Sequence, residues 1–239
     1  MTPVQALSLP DILEGKDVIG QGKTGSGKTA AFGLGLLERL DVQRLRIQAL
    51  VLCPTRELAD QVAKEIRKLA RSIHNIKVLT LCGGMPFGPQ AGSLDHGAHI
   101  IIGTPGRIED HLKRGTLKLN NVHTLVLDEA DRMLEMGFQD TLETIIKQTP
   151  EHRQTLLFSA TFPKQIKKIA NSIMLDPVMV KAPSLHDNSI IKQHFYTTSD
   201  PYRLTALRLL LQHYRSESTV IFCNTKKETQ QVADALIEN

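Results

Sequence analysis

Long apolar runs are missing from this chain: no stretch of about 18 or more apolar residues occurs, which argues against a membrane-spanning helix. The N-terminus also lacks the basic, apolar and small-residue succession of a secretory signal. Cysteine is scarce. Cys53, Cys82 and Cys223 are far apart and outside any CxxC spacing, so neither a disulfide framework nor a zinc site is indicated, and they read as small buried hydrophobes. The nine histidines, His96 and His99 among them, have no partners at metal-ligand spacing and read as solvated or structural. A soluble, cytoplasmic, monomeric protein is the expectation.

What is present is a composition fit for a substantial core: 239 residues, 41% hydrophobic and 23% charged. The net charge of +4 lies before Ser184, where 23 Lys and Arg stand against 19 Asp and Glu; after it six stand against six. A polyanion contact should therefore favour the first part. Short apolar runs at Asp17–Gly20, Ala49–Cys53, Val78–Cys82, His99–Gly103, Thr124–Asp128 and Gln154–Phe158 predict strands. Amphipathic stretches such as Arg56–Ser72, Arg107–Lys113 and Pro163–Met174 predict helices between them. This is the βαβ alternation of an α/β fold, a mostly parallel sheet flanked by helices, with ligands at the carboxyl ends of the strands. Thr104-Pro105 reads as an N-cap followed by proline at the first helical position.

The polar stretch 182–191 reads as a linker, giving a first domain over 1–182, a linker over 183–191 and a partial second domain over 192–239. In that last part Gln193–Thr198 and Thr219–Cys223 are predicted strands, Pro201–Tyr214 and Lys226–Ile237 predicted helices. Four elements fall short of the roughly 100 residues an α/β domain normally needs.

Asp17-Val18-Ile19-Gly20 runs into Gly22-Lys23-Thr24-Gly25-Ser26-Gly27-Lys28-Thr29 and then an Ala- and Leu-rich helix, which satisfies GxxxxGK[ST] in the strand–loop–helix context it requires. The glycines let successive backbone amides turn toward a polyphosphate, and the following helix adds positive potential. Lys28 would reach the β- and γ-phosphates and Thr29 would hold Mg²⁺. Gly20 to Gly25 also fits the dinucleotide pattern GxGxxG, but the second strand ends at Cys53-Pro54 without the acid that would hold a ribose, so a nucleoside triphosphate is favoured over NAD. The run Thr124–Leu127 ends in Asp128-Glu129-Ala130-Asp131. Asp128 suits a metal ion and Glu129 the attacking water.

Thr2-Pro3-Val4-Gln5, the phosphate loop, Pro54-Thr55-Arg56-Glu57-Leu58-Ala59, Gly83-Gly84, Thr104-Pro105-Gly106-Arg107, Asp128-Glu129-Ala130-Asp131 and Ser159-Ala160-Thr161 follow in that order. Together they closely resemble the signature blocks of DEAD-box RNA helicases, and Val220–Thr225 looks like the first block of that family's second domain. The wording around Leu52–Gln61 and Leu81–Gly88 is most like the bacterial DbpA subgroup, whose setting is ribosome biogenesis. The resemblance implies a RecA-like P-loop NTPase domain, ATP and Mg²⁺ as cofactors, and RNA bound through its backbone without base reading. It implies Gln5 as the adenine-reading amide, Thr55, Arg56, Gly84, Thr104, Gly106 and Arg107 along the RNA track, and Asp131, Ser159 and Thr161 as the coupling link. The lysines Lys164, Lys167 and Lys168 read as a solvated helix face.

Departures from the pattern bear on activity. Gly22 stands where the family usually has alanine, at a small cost in backbone entropy. An aromatic residue that stacks on adenine ahead of Gln5, and the later second-domain blocks with their arginines, are outside the 239 residues. The expectation is weak binding of ATP and Mg²⁺, slow hydrolysis and no unaided unwinding. The alternatives are an RNA- and ATP-binding module without turnover, or a DNA-directed translocase of the same superfamily.

Overall fold

The computed structural model describes residues 1–23, 25–181 and 192–237, so Thr24 and the predicted linker lie outside the described residues. Contacts divide the chain into two compact units, Met1–Leu185 and His186–Asn239.

The first unit is built on seven parallel strands: β1 (Val18–Gln21), β2 (Ala49–Leu52), β3 (Val78–Leu81), β4 (Ile100–Gly103), β5 (Thr124–Asp128), β6 (Gln154–Ser159) and β7 (Val178–Lys181). Their order across the sheet is β3-β4-β2-β5-β6-β1-β7. The registers Ala49↔Ile100, Ala49↔Thr124 and Val18↔Leu156 bring the carboxyl ends of the inner strands to one edge.

Alternation along each strand sends side chains to opposite faces. Val51, Ile100, Ile102, Val126, Leu156 and Phe158 pack against α1 (Pro3–Leu13), α2 (Lys28–Glu38) and α3 (Arg56–Leu69). Leu50, Leu52, Ile101, Leu125, Leu127 and Leu157 pack against α5 (Pro105–Lys113), α6 (Ala130–Glu135), α7 (Gln139–Ile146) and α8 (Lys164–Ile173). The short helix α4 (Phe87–Asp95) follows β3. The result is an α/β/α sandwich whose strands, buried on both faces, read as continuous apolar runs.

Two buried polar groups tie the amino ends of the strands together. The Asp17 carboxylate accepts from the Thr155 amide at 2.6 Å and from the Leu175 amide at 2.8 Å. Gln154 Nε2 donates to the carbonyls of Ile12 and Lys16, both at 2.8 Å. Cys53 and Cys82 are buried, and burial pushes both thiols up, Cys82 to about 11. Cys223 is only half-buried.

The second unit holds α9 (Arg203–Tyr214) and α10 (Lys226–Ile237). The strands expected at Gln193–Thr198 and Thr219–Cys223 are not formed. A strand exists only with a ladder partner, and among the described residues the pairing stays within β1–β7. Phe195 and Phe222, which fall in those two stretches, are 91% and 93% exposed.

Candidate functional site

Every motif singled out in the first unit falls at the carboxyl edge of the sheet, and the strand order sorts them into two neighbouring groups. Loops after β1, β5 and β6 carry the phosphate loop, Asp128-Glu129 and Ser159–Thr161; loops after β2, β3 and β4 carry Thr55-Arg56, Gly83-Gly84 and Thr104–Arg107.

The phosphate loop leaves β1 with the Gly22 amide bonded to the Ser159 carbonyl at 3.0 Å. Gly25 and Gly27 take φ of +82° and +90°, in the left-handed region that side chains disfavour. A Cβ on Gly27 would also stand 2.6 Å from Gln5 Nε2 and 2.9 Å from Thr2 Oγ1, so a side chain there would push both away from the loop. Gly27 is the N-cap of α2, which leaves the first amides of that helix without helical carbonyl partners. Lys28 is buried, and its ammonium donates to the Gly22 carbonyl at 2.8 Å. Gln5 does not stand clear of the loop: its amide donates to the Gly27 carbonyl at 3.1 Å and its oxygen accepts from the Thr2 amide at 2.9 Å. Thr29 is half-buried in the first turn of α2, and Lys23 is exposed.

Ser26 Oγ is buried with no hydrogen-bond partner among the described residues. An orphaned hydroxyl, two left-handed glycines, a buried ammonium and a helix N-terminus together fit a polyphosphate.

Asp128 ends β5 and is 3% exposed. Burial pushes its pKa up to about 6, against the pull of the nearby Lys28 ammonium. Glu129 has φ of +52°, a strained conformation for a non-glycine residue, and its carboxylate accepts from Arg132 Nη1 at 3.4 Å. Among the described residues no cluster of three or more His, Cys, Asp or Glu is disposed to hold a metal ion. A cation at Asp128 and Thr29 would therefore draw its remaining ligands from phosphate and water, as Mg²⁺ commonly does.

The raised pKa has a consequence for stability. The folded state binds the Asp128 proton more tightly than the unfolded chain, whose value is near 3.8. The associated stability is complete below about pH 4, declines as pH rises, and is lost above about pH 6. Asp128→Asn should thus stabilise the nucleotide-free protein at pH 8 by on the order of 1–3 kcal/mol. Thermal melts from pH 4 to 8 check this; an advantage that persists undiminished at pH 4 contradicts it.

Asp131 sits in the first turn of α6, and its carboxylate accepts from the Thr161 hydroxyl at 2.8 Å and the Thr161 amide at 2.9 Å. The Asp131 amide donates to Ser159 Oγ at 3.3 Å. The structure thus brings Asp131, Ser159 and Thr161 into one cluster between the loops after β5 and β6. Although burial acts to raise it, the Asp131 pKa is lowered overall by hydrogen bonds from Thr161 and Ser159.

In the other group, Thr55 N-caps α3, its hydroxyl accepting from the Leu58 amide at 3.3 Å, and Arg56 is exposed. Gly84 has φ of +75°, and both it and Gly106 have open space where a Cβ would sit or meet only the end of Arg56. Pro105 is the first residue of α5 as expected, but the Thr104 hydroxyl does not cap that helix. It accepts instead from the Gly83 amide at 3.4 Å and so joins two loops.

Sequence reading missed Phe87 and His111, which pack beside this group. The i, i+4 spacing of His111 to Arg107 on α5 was a usable signal, whereas Phe87 joins them only once α4 is known to be helical.

A family profile described as DEAD/DEAH box helicase matches residues 2–169. The chain is 56% identical over 238 residues to the ATP-dependent RNA helicase DbpA of Escherichia coli strain K12, covering 100% of this chain and 52% of that protein. It is 44% identical over 236 residues to the DEAD-box ATP-dependent RNA helicase CshA of Geobacillus kaustophilus, covering 98% and 50%. Among solved structures, a DEAD box protein from the hyperthermophile Methanococcus jannaschii superimposes with a TM-score of 0.73 at 39% identity, covering 99% of this chain and 64% of that one. The chain spans about half the length of these curated relatives.

Proposed function

The chain belongs to the DEAD/DEAH box helicase family, and from that premise we propose that it takes part in ATP-dependent remodelling of RNA, its first unit binding Mg²⁺–ATP and single-stranded RNA on adjacent halves of one strand edge. The observation that carries the reading is the sorting of the two residue groups by strand order, β5, β6 and β1 on one side and β2, β3 and β4 on the other.

When bound, Mg²⁺–ATP supplies the phosphoanhydride bond to be hydrolysed and the countercharge on its oxygens. Lys28 holds the terminal phosphates, while Asp128 and Thr29 hold the metal. Above about pH 6 Asp128 is ionised and able to do so. Glu129 orients the attacking water and takes its proton. Gln5 reads adenine by giving up its bond to the Gly27 carbonyl. Arg56, Arg107, Thr55, Thr104 and the amides around Gly84 and Gly106 hold phosphates and ribose hydroxyls. Asp131, Ser159 and Thr161, clustered on the nucleotide side of the edge, serve as the coupling residues. A cytoplasmic location and action as a monomer belong to the same proposal.

The test is ATP turnover by the purified chain with and without single-stranded RNA. Turnover that rises with RNA and disappears in Glu129→Gln supports the helicase reading. Binding of ATP and RNA without turnover supports a binding module, and binding of neither overturns the assignment.

A further inference from the structure

α4 and α5 meet around a single aromatic ring. Arg107, His111 and Arg114 stand at i, i+4 and i+7 from the start of α5 into its C-cap, a spacing that lines them along one helix face. All three converge on Phe87, the first residue of α4. The His111 imidazole stacks on the Phe87 ring with centroids 4.2 Å apart and planes 20° apart. The guanidinium carbons of Arg114 and Arg107 lie 4.3 Å and 5.8 Å from the ring centre.

The stack is anchored on both sides. Gln90, three residues after Phe87, donates from Nε2 to the Cys82 carbonyl at 3.0 Å and sets its oxygen 3.4 Å from His111 Nε2. His111 Nδ1 lies 2.8 Å from the Thr116 hydroxyl. The loop between β3 and α4, which contains Gly83-Gly84, is therefore fastened to α5 through this stack as well as through the bond from the Gly83 amide to Thr104.

The two arginines differ in how their charge is met. Arg114 is paired with the Asp110 carboxylate at 2.8 Å. Arg107 has no ion pair with a carboxylate among the described residues, and its Nη1 is buried without a hydrogen-bond partner there. An aromatic face attracts a guanidinium through its quadrupole without cancelling the charge or occupying an N–H, whereas a carboxylate would do both.

We propose that Phe87 is a positioning residue: it holds Arg107 in place with its charge unspent on a carboxylate, and so sets the RNA affinity of the track that Arg107 and Gly84 form. This rests on the reading of Arg107 as an RNA contact given above.

The experiment measures binding of fluorescently labelled single-stranded RNA to the full chain, with ATP-analogue affinity measured on each variant as a check on folding. Phe87→Leu and Phe87→Met, which keep apolar bulk but remove the π face, should weaken RNA binding about three- to thirty-fold, while Phe87→Tyr stays within about two-fold of wild type. ATP-analogue affinity should not change in any of them. Arg107→Ala should weaken RNA binding by about ten-fold or more, and adding Phe87→Leu to it should cost less than about two-fold further.

Phe87→Leu binding RNA as wild type does, or a double variant whose losses multiply, overturns the positioning role and assigns Phe87 to packing alone. Wild-type RNA binding by Arg107→Ala overturns the RNA-track reading itself, an outcome distinct from the first.

Discussion

Lys28→Ala should weaken binding of Mg²⁺–ATP by about 100-fold or more, through two losses from one substitution. The first is direct, because an ammonium donating to phosphate oxygens makes charge-assisted bonds worth about 1.5–3 kcal/mol each. The second runs through Asp128. Its carboxyl is already pushed up to about 6 by burial, and Lys28 is the strongest influence holding it down. Without that ammonium the Asp128 proton is retained to higher pH, and a protonated carboxyl is a poor magnesium ligand. The defect should therefore shrink as pH is raised from 7 to 9, a trend a simple loss of phosphate contact would not produce. Calorimetric titration with a non-hydrolysable ATP analogue at both pH values measures it, and a loss below about ten-fold at pH 7 would contradict the assignment.

The second large effect is on stability, at the far end of the sheet. Asp17→Ala leaves the amides of Thr155 and Leu175 without their acceptor in a region where Asp17 itself is only 7% exposed. It also removes the carboxylate whose charge supports the Arg153 guanidinium. Stripping the buried Thr155 amide of its charged acceptor costs about 2 kcal/mol, whereas Leu175 is 81% exposed and its amide can turn to water. For a unit of this size that corresponds to a fall of roughly 4–8 °C in Tm. ATP affinity at low temperature should be retained, because Asp17 precedes β1 while the phosphate loop follows it. A melting temperature within about 2 °C of wild type would show that the Thr155 amide finds another acceptor.

Why Asp17 could be read only as the start of a strand, and not as a tie between strands, is instructive. Its partners are at Thr155 and Leu175, far along the chain, and no local pattern announces such a pairing. The phosphate loop and the six apolar strands were legible because their signals are local: glycine spacing in one, unbroken runs of Val, Ile and Leu in the others. The edge strand β7 escaped notice because only Val180 of its four residues is buried. Pro10 inside α1, and Gly88, Pro89 and Gly92 inside α4, interrupt the helical pattern of those two segments. The Phe87 stack was hidden with α4. In the second unit the opposite error occurred: Gln193–Thr198 and Thr219–Cys223 have strand-like composition, but composition does not provide a neighbour to pair with.

The bonds from Lys28 to the Gly22 carbonyl and from Gln5 to the Gly27 carbonyl mean that these two side chains already have internal partners. At Lys28 and Gln5 nucleotide entry is then an exchange of one bond for another, while Ser26 Oγ and the first amides of α2 gain partners they lack in the free loop. Discrimination falls to what exchange cannot equalise, namely the negative charge of the incoming group and its fit to the left-handed turns at Gly25 and Gly27. Departure is eased at Lys28 and Gln5, since each of these has a protein partner of its own within reach.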